Sequence, residues 1–202
     1  MMKVAALILA AGKSLRMGQP KMLMPWKGRP LLAHVVENVL QGEFSDIVVV
    51  TGDASEQIQS VVKAIGDARL RCAFNKEYAL GMLSSVQCGI LALSDSFEGV
   101  MIALGDQPAI PAQIYRQLLA HFISSDALIL IPSFRQKRGH PIFLRSTLLP
   151  ELLHLDPARD SLHNVTSQHA SMIQTISLEE PAIVQDLDTP WDYEHLTEKE
   201  GV

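Results

Sequence analysis

Two glycines, two lysines and an arginine lie in one short stretch that directly follows the first apolar run of the chain. This stretch, AAGKSLRMGQPK, spans residues 10–21. Small residues let the backbone approach a ligand closely, and spaced cations neutralise phosphate oxygens. We therefore predict a site for a nucleotide triphosphate, with Arg16 and Lys21 on its phosphates. A solvated basic loop is the alternative explanation.

Neither of two familiar phosphate-binding loops fits this stretch. A Walker loop needs a glycine five residues before its final Gly-Lys-Ser, but Leu7 occupies that position, inside the unbroken apolar run VAALILAA. A dinucleotide fingerprint needs three glycines at fixed offsets, which Gly12 and Gly18 do not supply. We therefore expect a different phosphate-binding loop that follows a buried strand.

Acidic residues follow two other apolar segments and could hold a divalent cation. Asp106 follows GVMIAL after a single glycine, and Asp186 and Asp188 alternate in QDLDTPWDY. Because Mg²⁺ prefers hard oxygen ligands beside phosphates, we predict Asp106 as a metal ligand. Asp186 and Asp188 are candidates to complete the site, or they serve the structure. Thr189 and Asp192 fit a helix cap.

Apolar runs of strand length alternate with helical patterns through the first half of the chain. Predicted strands cover residues 4–10, 46–52, 70–75, 99–104 and 126–132, and predicted helices cover residues 30–42, 55–66, 83–93 and 111–124. Pro30 is expected at the first helical position and Ser55 as a helix cap. Strands that are apolar on both faces predict an α/β, Rossmann-like, mostly parallel sheet with helices on both faces. Ligands of such sheets bind beyond the carboxyl ends of the strands.

The alternation becomes irregular after Pro132. This part holds a basic loop and short strand, SFRQKRGHPIFL, then two helical stretches and the strand-like segments 171–176 and 182–187. We expect a single domain over residues 1–202. Residues 1–131 would form a nucleotide-binding half, and residues 132–202 would extend the sheet and bind the acceptor.

Composition excludes several other classes of protein. The 202 residues are 48% hydrophobic and 19% charged, as in folded soluble proteins. A net charge of −5 argues against a nucleic-acid surface, and no apolar stretch reaches the ~20 residues of a membrane span. Cys72 and Cys88 are predicted to be buried free thiols of a reducing compartment. The N-terminal run could pass for a secretory signal, but the patterned polar residues after it favour a buried strand and a cytoplasmic protein.

The combined segments resemble the nucleotidyltransferases that attach a nucleotide to molybdopterin, the MobA-like family, and most closely its molybdenum cofactor cytidylyltransferase branch. The resemblance rests on the opening loop, NKEYALGMLSS (residues 75–85), ALGDQP, GHPIFL and DLDTPWDY, in that order along almost the whole chain. It implies a nucleotidyltransferase fold of the nucleotide-diphospho-sugar transferase type. It also implies Mg²⁺-dependent transfer of CMP from CTP to molybdenum-loaded molybdopterin, which forms the cytosine dinucleotide cofactor and pyrophosphate.

The resemblance assigns roles to individual positions. Catalytic residues would be Arg16, Lys21 and Asp106, with Asp106 on the metal; Asp186 and Asp188 stay candidates to complete the metal site because of their alternation. Nucleotide-binding residues would be Leu9, Ala10, Ala11, Gly12, Arg16, Lys21, Asn75, Gly81, Ser84, Ser85 and Gly105, and substrate-binding residues would be Arg138 and His140. From the residues alone, Ser84 could instead cap its helix, and a histidine before proline could be a structural turn residue. Guanylyl-transferring relatives usually read LAGG, so Ala11 in LAAG favours CTP over GTP.

Three functions stay open at this point. The first is the cytidylyltransferase, which could make transient contact with a molybdenum hydroxylase. The second is a transferase that uses GTP or a different phosphorylated acceptor. The third is a non-catalytic carrier that delivers finished cofactor to such a hydroxylase. A phosphate acceptor is already anionic, so transfer needs positioning and charge neutralisation rather than a general base.

Overall fold

The computed structural model describes residues 2–94 and 97–201. The strands are β1 (Val4–Ala10), β2 (Pro25–Trp26), β3 (Arg29–Pro30), β4 (Ile47–Thr51), β5 (Leu70–Phe74), β6 (Gly99–Leu104), β7 (Ile129–Phe134), β8 (Lys137–Arg138), β9 (Ile142–Arg145) and β10 (Ile173–Ser177). The α-helices are α1 (Leu31–Leu40), α2 (Ser55–Ile65), α3 (Met82–Ala92), α4 (Ala112–Ser124), α5 (Leu149–His154), α6 (Leu162–Gln168) and α7 (Pro190–Glu200).

The main sheet is mixed and mostly parallel, as predicted. Its strand order is β10-β7-β9-β6-β1-β4-β5, and β8 pairs with the end of β7. The central strand β1 runs parallel to both β4 and β6, whereas β9 runs antiparallel to β6 and β7. Every residue of β1 is buried, so the prediction of a strand over residues 4–10 is confirmed.

Helices cover both faces of this sheet because alternate side chains of its strands point to opposite sides. Ala6 and Ile8 of β1 belong to a core cluster that includes side chains of α1 and α4. Leu7 belongs to a second cluster that includes side chains of α3 and α5. A Cβ on Gly89 of α3 would lie 2.9 Å from Leu7 Cδ1, so glycine lets this helix pack closely against the strand. The predicted helix layers are therefore confirmed.

Two predicted helix starts differ from the structure. Pro30 lies one residue before α1, which begins at Leu31. Ser55 is already inside α2, and Ala54 takes the cap position. The prediction of Ser55 as a cap was wrong because its hydroxyl pairs with Thr51 Oγ1 at 2.7 Å instead.

The irregular second half contains one predicted strand and lacks another. Residues 173–177 form β10 and pair in parallel with β7. The strand predicted over residues 182–187 was wrong, because Pro181–Val184 form a 3-10 helix. Ala182 and Ile183 are adjacent and both buried, which the alternation of a half-buried strand does not allow, and the Glu180 side chain caps the turn by accepting from Ala182 N at 3.1 Å.

Two expectations from the composition concern the cysteines and the absence of a long apolar helix. Cys72 and Cys88 are free thiols, although half-buried rather than fully buried. Burial raises the pKa of Cys72 to about 11. Within the described part of the chain, no helix has the length and apolar character needed to cross a membrane.

Candidate active site

Lys21 and the three predicted metal carboxylates line one cleft at the carboxyl ends of β1 and β6, whereas Arg16 lies at its rim. These strands are parallel neighbours, with Leu9 opposite Leu104, so the loops that follow them leave the sheet side by side. The cleft has a volume of about 310 Å³. Its lining residues are Leu9, Ala11, Gly12, Lys21, Met22, Tyr78, Gly81, Met82, Ser85, Leu104, Asp106, Asp186 and Asp188.

The N-terminal loop folds back on itself and carries Lys21 into this cleft. Ser14 and Gly18 adopt left-handed backbone conformations, with φ of 53° and 67°. Ser14 Oγ then accepts a hydrogen bond of 3.1 Å from the backbone N of Lys21. Met22 is buried next to Lys21 and anchors the loop in the core. The loop therefore holds its second lysine in a defined place.

Four charged side chains form a connected set of ion pairs in the cleft. The Lys21 ammonium contacts the Asp106 carboxylate and lies 3.2 Å from Asp188 Oδ1. Arg16 Nη2 lies 2.8 Å from Asp188 Oδ2 at the rim. Only 12% of the Lys21 side chain and 10% of the Asp106 side chain are exposed, against 67% of Arg16. A triphosphate that binds these cations must therefore compete with the carboxylates.

Burial and the neighbouring opposite charges shift the pKa values of Asp106 and Lys21 in opposite directions. Burial raises the pKa of Asp106 above its usual range, and the attraction of Lys21 only partly offsets this effect. Burial alone would lower the pKa of Lys21, but the carboxylates of Asp106 and Asp188 prevail and raise it. Lys21 is therefore charged at neutral pH and supplies the positive charge that Asp106 needs in an enclosed site.

The segment before α7 brings two further carboxylates to the cleft. Thr189 and Asp192 form a capping box at the start of α7, as predicted. Asp192 Oδ2 also accepts from the backbone N of Asp188 at 3.2 Å, which fixes that residue. Asp186 is exposed, and its Oδ1 accepts a hydrogen bond of 3.0 Å from Gln107 Nε2.

The chemistry of these donors fits Mg²⁺. Asp106, Asp186 and Asp188 offer only oxygen ligands and line the same cleft. Mg²⁺ usually keeps several waters and is bound by one or two carboxylates together with substrate phosphates. Among the residues that the structure describes, no three His, Cys, Asp or Glu side chains are grouped so that they could hold a metal ion.

The residues at the ends of β1 and β6 and just after them divide into lining and supporting positions. Leu9, Ala11 and Gly12 line the cleft, whereas Ala10 is a core residue with 1% of its surface exposed. Gly105 N donates to Leu9 O at 2.9 Å, and a Cβ on Gly105 would lie 2.9 Å from the same oxygen. Gly105 therefore joins the ends of β1 and β6 rather than lining the cleft.

The segment 75–85 is held by a buried hydrogen-bond network. Asn75 Nδ2 donates to Ser84 Oγ at 2.9 Å and to Ser85 Oγ at 3.1 Å. Ser84 Oγ in turn donates to the carbonyls of Glu77 and Gly81; it lies inside α3, and Gly81 takes the cap position. Asn75 and Ser84 therefore shape the segment, while Gly81 and Ser85 reach the cleft.

Two lining residues of this segment, Tyr78 and Met82, were not predicted from the sequence. The Tyr78 ring packs on Gly52, where a Cβ would lie 2.8 Å from the ring. Lys13 Nζ lies 5.6 Å from the ring centroid, and the Tyr78 hydroxyl lies 3.2 Å from Asp53 Oδ1. An aromatic residue in a short loop between a strand and a helix is a signal that could have identified Tyr78.

The predicted substrate residues lie in a second cavity. Arg138 and His140 line this space of about 430 Å³, which is bounded on another side by Asp160. Gly81 and Met82 line both cavities and so connect them. Burial lowers the pKa of His140, although the charge of Asp186 opposes that change. His140 is therefore mainly neutral at neutral pH.

Known proteins of the same length share this chain's sequence or fold. The chain is 29% identical over 204 residues to molybdenum cofactor cytidylyltransferase of Escherichia coli, covering 99% of this chain and 97% of that protein. It is also 29% identical over 192 residues to nicotine blue oxidoreductase of Paenarthrobacter nicotinovorans, covering 92% of each. A crystal structure of Rv0371c from Mycobacterium tuberculosis superposes with a TM-score of 0.84 at 21% identity and covers 98% of each chain. A second crystal structure of Rv0371c, in complex with manganese, superposes with a TM-score of 0.78 at 19% identity, covering 98% of this chain and 99% of that one.

These likenesses agree with the architecture of the sheet. At the identities of the superposed structures, the comparison shows the nucleotidyltransferase-like fold alone. The family match is more specific, because residues 6–172 match the family described as the MobA-like NTP transferase domain. That match covers β1 from Ala6 onward, the N-terminal loop, segment 75–85 and Asp106. The chain belongs to the MobA-like NTP transferase family.

Proposed function

We propose that this protein is a cytidylyltransferase that joins CMP from CTP to molybdenum-loaded molybdopterin and releases pyrophosphate. The observation that carries the proposal is the ion-pair set of the cleft, in which Lys21 lies between Asp106 and Asp188. Nucleotidyl transfer needs cations for the phosphates and carboxylates for a metal at the same place. A protein that only binds a finished cofactor has no need for a buried carboxylate there.

The cations take part in the proposed reaction by positioning and neutralisation. Lys21, enclosed beside Asp106, would bind the phosphates nearest the reacting α-phosphorus, and Arg16 at the rim would bind the departing end. An oxygen of the acceptor phosphate attacks the α-phosphorus, the bond to the β-phosphate breaks, and pyrophosphate leaves with that electron pair. Preorganised positive charge stabilises the charge that develops on the departing oxygens.

Asp106, together with Asp186 or Asp188, is proposed to hold Mg²⁺ along with the phosphates of the nucleotide. The bound ion would neutralise negative charge on the triphosphate, which reduces the repulsion that the attacking oxygen meets. The carboxylates already compete for Lys21 and Arg16, so occupation by the ion would leave both cations available to the phosphates. The manganese complex of the mycobacterial structure supports a divalent ion in proteins of this fold.

The choice of CTP rests on the nucleotide side of the cleft. Leu9 lines this side beside the small residues Ala11 and Gly12, with alanine at position 11 where guanylyl-transferring relatives usually have glycine. Ser85 Oγ accepts from Asn75, which leaves its own O–H to donate to a base carbonyl. The relative from E. coli is a molybdenum cofactor cytidylyltransferase, which supports this choice.

The acceptor is proposed to lie in the second cavity, so that residues 1–131 bind the nucleotide and residues 132–202 bind the pterin. Arg138 would pair with the acceptor phosphate and His140 would hydrogen-bond to its ring system. Because Gly81 and Met82 line both cavities, the two substrates would approach each other at this junction.

One assay panel tests the proposal. Purified protein is incubated with Mg²⁺ and molybdenum-loaded molybdopterin and with CTP, GTP, ATP or UTP, and pyrophosphate release is measured. We expect release with CTP and its loss in Asp106→Asn. Asp46→Asn is the matched control, because Asp46 is also buried, at 8% exposure, and pairs with Arg71 outside the cleft.

The other outcomes identify the alternatives. Preference for GTP or for a different acceptor would favour a related transferase. Tight binding of the finished cofactor without release from any nucleotide would favour a carrier. Nicotine blue oxidoreductase is as similar in sequence to this chain as the cytidylyltransferase is. Release of pyrophosphate, and not sequence identity, therefore decides between the functions.

A further inference from the structure

Gln107 is a buried amide next to the metal carboxylates and has no role in the proposed reaction so far. Only 2% of its surface is exposed. Its Nε2 donates to Asp186 Oδ1 at 3.0 Å and lies 3.5 Å from Ile183 O. Its Oε1 is buried and has no hydrogen-bond partner among the described residues.

The fold gains little from this amide. Ile183 O already accepts from His140 N at 2.9 Å, and the exposed Asp186 carboxylate can be hydrated by water. The unpaired Oε1 costs free energy, because a buried acceptor has lost its water without gaining a donor. An apolar side chain of the same length would fill the space without that cost. The strongest contact of the amide is therefore the one that it makes to a carboxylate lining the cleft.

We propose that Gln107 is a positioning residue that fixes the Asp186 carboxylate for the divalent cation. This inference rests on the proposed metal-binding role of Asp106 and Asp186. An exposed carboxylate samples several rotamers, and ordering it before the ion arrives removes part of the cost of binding. The Gln107 amide occupies Oδ1, which would orient the carboxylate and leave Oδ2 available to bind the ion. Outer partners of this kind commonly set the affinity of a metal site.

The test measures Mn²⁺ binding by electron paramagnetic resonance on the full chain, with CTP present and the acceptor omitted. Gln107→Met keeps the length of the side chain and removes the amide. We expect the dissociation constant for Mn²⁺ to rise about tenfold, the lower end for outer-shell changes, with an unfolding temperature that is unchanged or higher because the unpaired oxygen is gone.

Gln87→Met is the matched control. Gln87 Nε2 also donates to two backbone carbonyls, those of Leu152 and Leu155, both at 2.9 Å. Because these carbonyls would lose their side-chain donor, this variant should lose stability and keep its Mn²⁺ affinity. Gln107→Met should therefore lose Mn²⁺ affinity and keep its stability, whereas Gln87→Met should lose stability and keep its Mn²⁺ affinity.

A double-mutant cycle separates positioning from a general structural effect. If Gln107 acts through Asp186, Gln107→Met has no further effect on Mn²⁺ affinity in the Asp186→Asn background. An unchanged affinity in the single variant, or an equal loss in both backgrounds, would overturn the inference. Mn²⁺ binding is measured without transfer, so an absence of pyrophosphate release in the assay panel would defeat the proposed reaction and leave this result standing.

Discussion

Removal of the Lys21 ammonium tests whether the enclosed ion pair is as strongly coupled as its geometry indicates. In Lys21→Met the Asp106 carboxylate, with 10% of its side chain exposed, loses its nearest cation. Breaking a buried pair in this way costs about 3–5 kcal/mol of unfolding free energy. For a domain of this size, that loss lowers the unfolding temperature by roughly 6–20 °C.

The loss should depend on pH in a defined direction. Burial already raises the pKa of Asp106, and removal of Lys21 raises it further. A carboxyl group whose folded-state pKa is raised contributes stability when protonated, below its unfolded pKa, and loses that contribution as the pH rises through its folded pKa. Lys21→Met should therefore lose less stability relative to the wild type at pH 5 than at pH 8.

The assay is thermal unfolding from pH 5 to pH 8 with a chelator, so that no divalent ion replaces the ammonium. Addition of Asp106→Asn to Lys21→Met should restore most of the stability and remove the pH dependence. Arg71→Met is the comparison, because Asp46 keeps two hydrogen bonds from Ser94 when Arg71 is removed. Equal losses in Lys21→Met and Arg71→Met, or no rescue by Asp106→Asn, would refute the reasoning.

Three further predictions follow from the same cleft. Arg16→Gln should change the unfolding free energy by less than about 1 kcal/mol, measured by urea titration, because the pair of Arg16 with Asp188 is exposed. The same variant should raise KM for CTP in steady-state kinetics. CTP should tighten Mn²⁺ binding by about 5- to 150-fold, as measured by titration calorimetry, and Lys21→Met should reduce this coupling because the carboxylates no longer compete for that cation. Gly105→Ala should destabilise the fold by about 1–3 kcal/mol, since the new Cβ would lie 2.9 Å from Leu9 O; a thermal melt equal to that of the wild type would contradict it.

The fold was largely predictable because its central strands are buried on both faces. A run such as residues 4–10 is apolar at every position, and its length and flanking glycine distinguish it from a helix. The segment 182–187 misled the prediction because its apolar residues pack as a 3-10 turn around Pro181. That packing depends on neighbours far away in the sequence, since Ile183 O accepts from His140 N.

The sequence predicted where the cleft lies on the sheet but not which side chains contact one another in it. The rule that ligands bind at the carboxyl ends of parallel strands brought Lys21 and Asp106 to one edge of the sheet. It did not predict that Lys21 bridges Asp106 and Asp188, because that contact joins loops whose conformations depend on tertiary packing. The supporting role of Gly105 was missed for the same reason.

The central claim is that a triphosphate binds between a divalent ion held by Asp106 and the side chains of Lys21 and Arg16. Its most direct test is an anomalous difference map from crystals grown with Mn²⁺ and CTP in the absence of acceptor. The account predicts a manganese peak bound to Asp106 Oδ1 or Oδ2, with the phosphates on Lys21 and Arg16. A manganese peak away from Asp106, or a triphosphate bound outside this cleft, would contradict it.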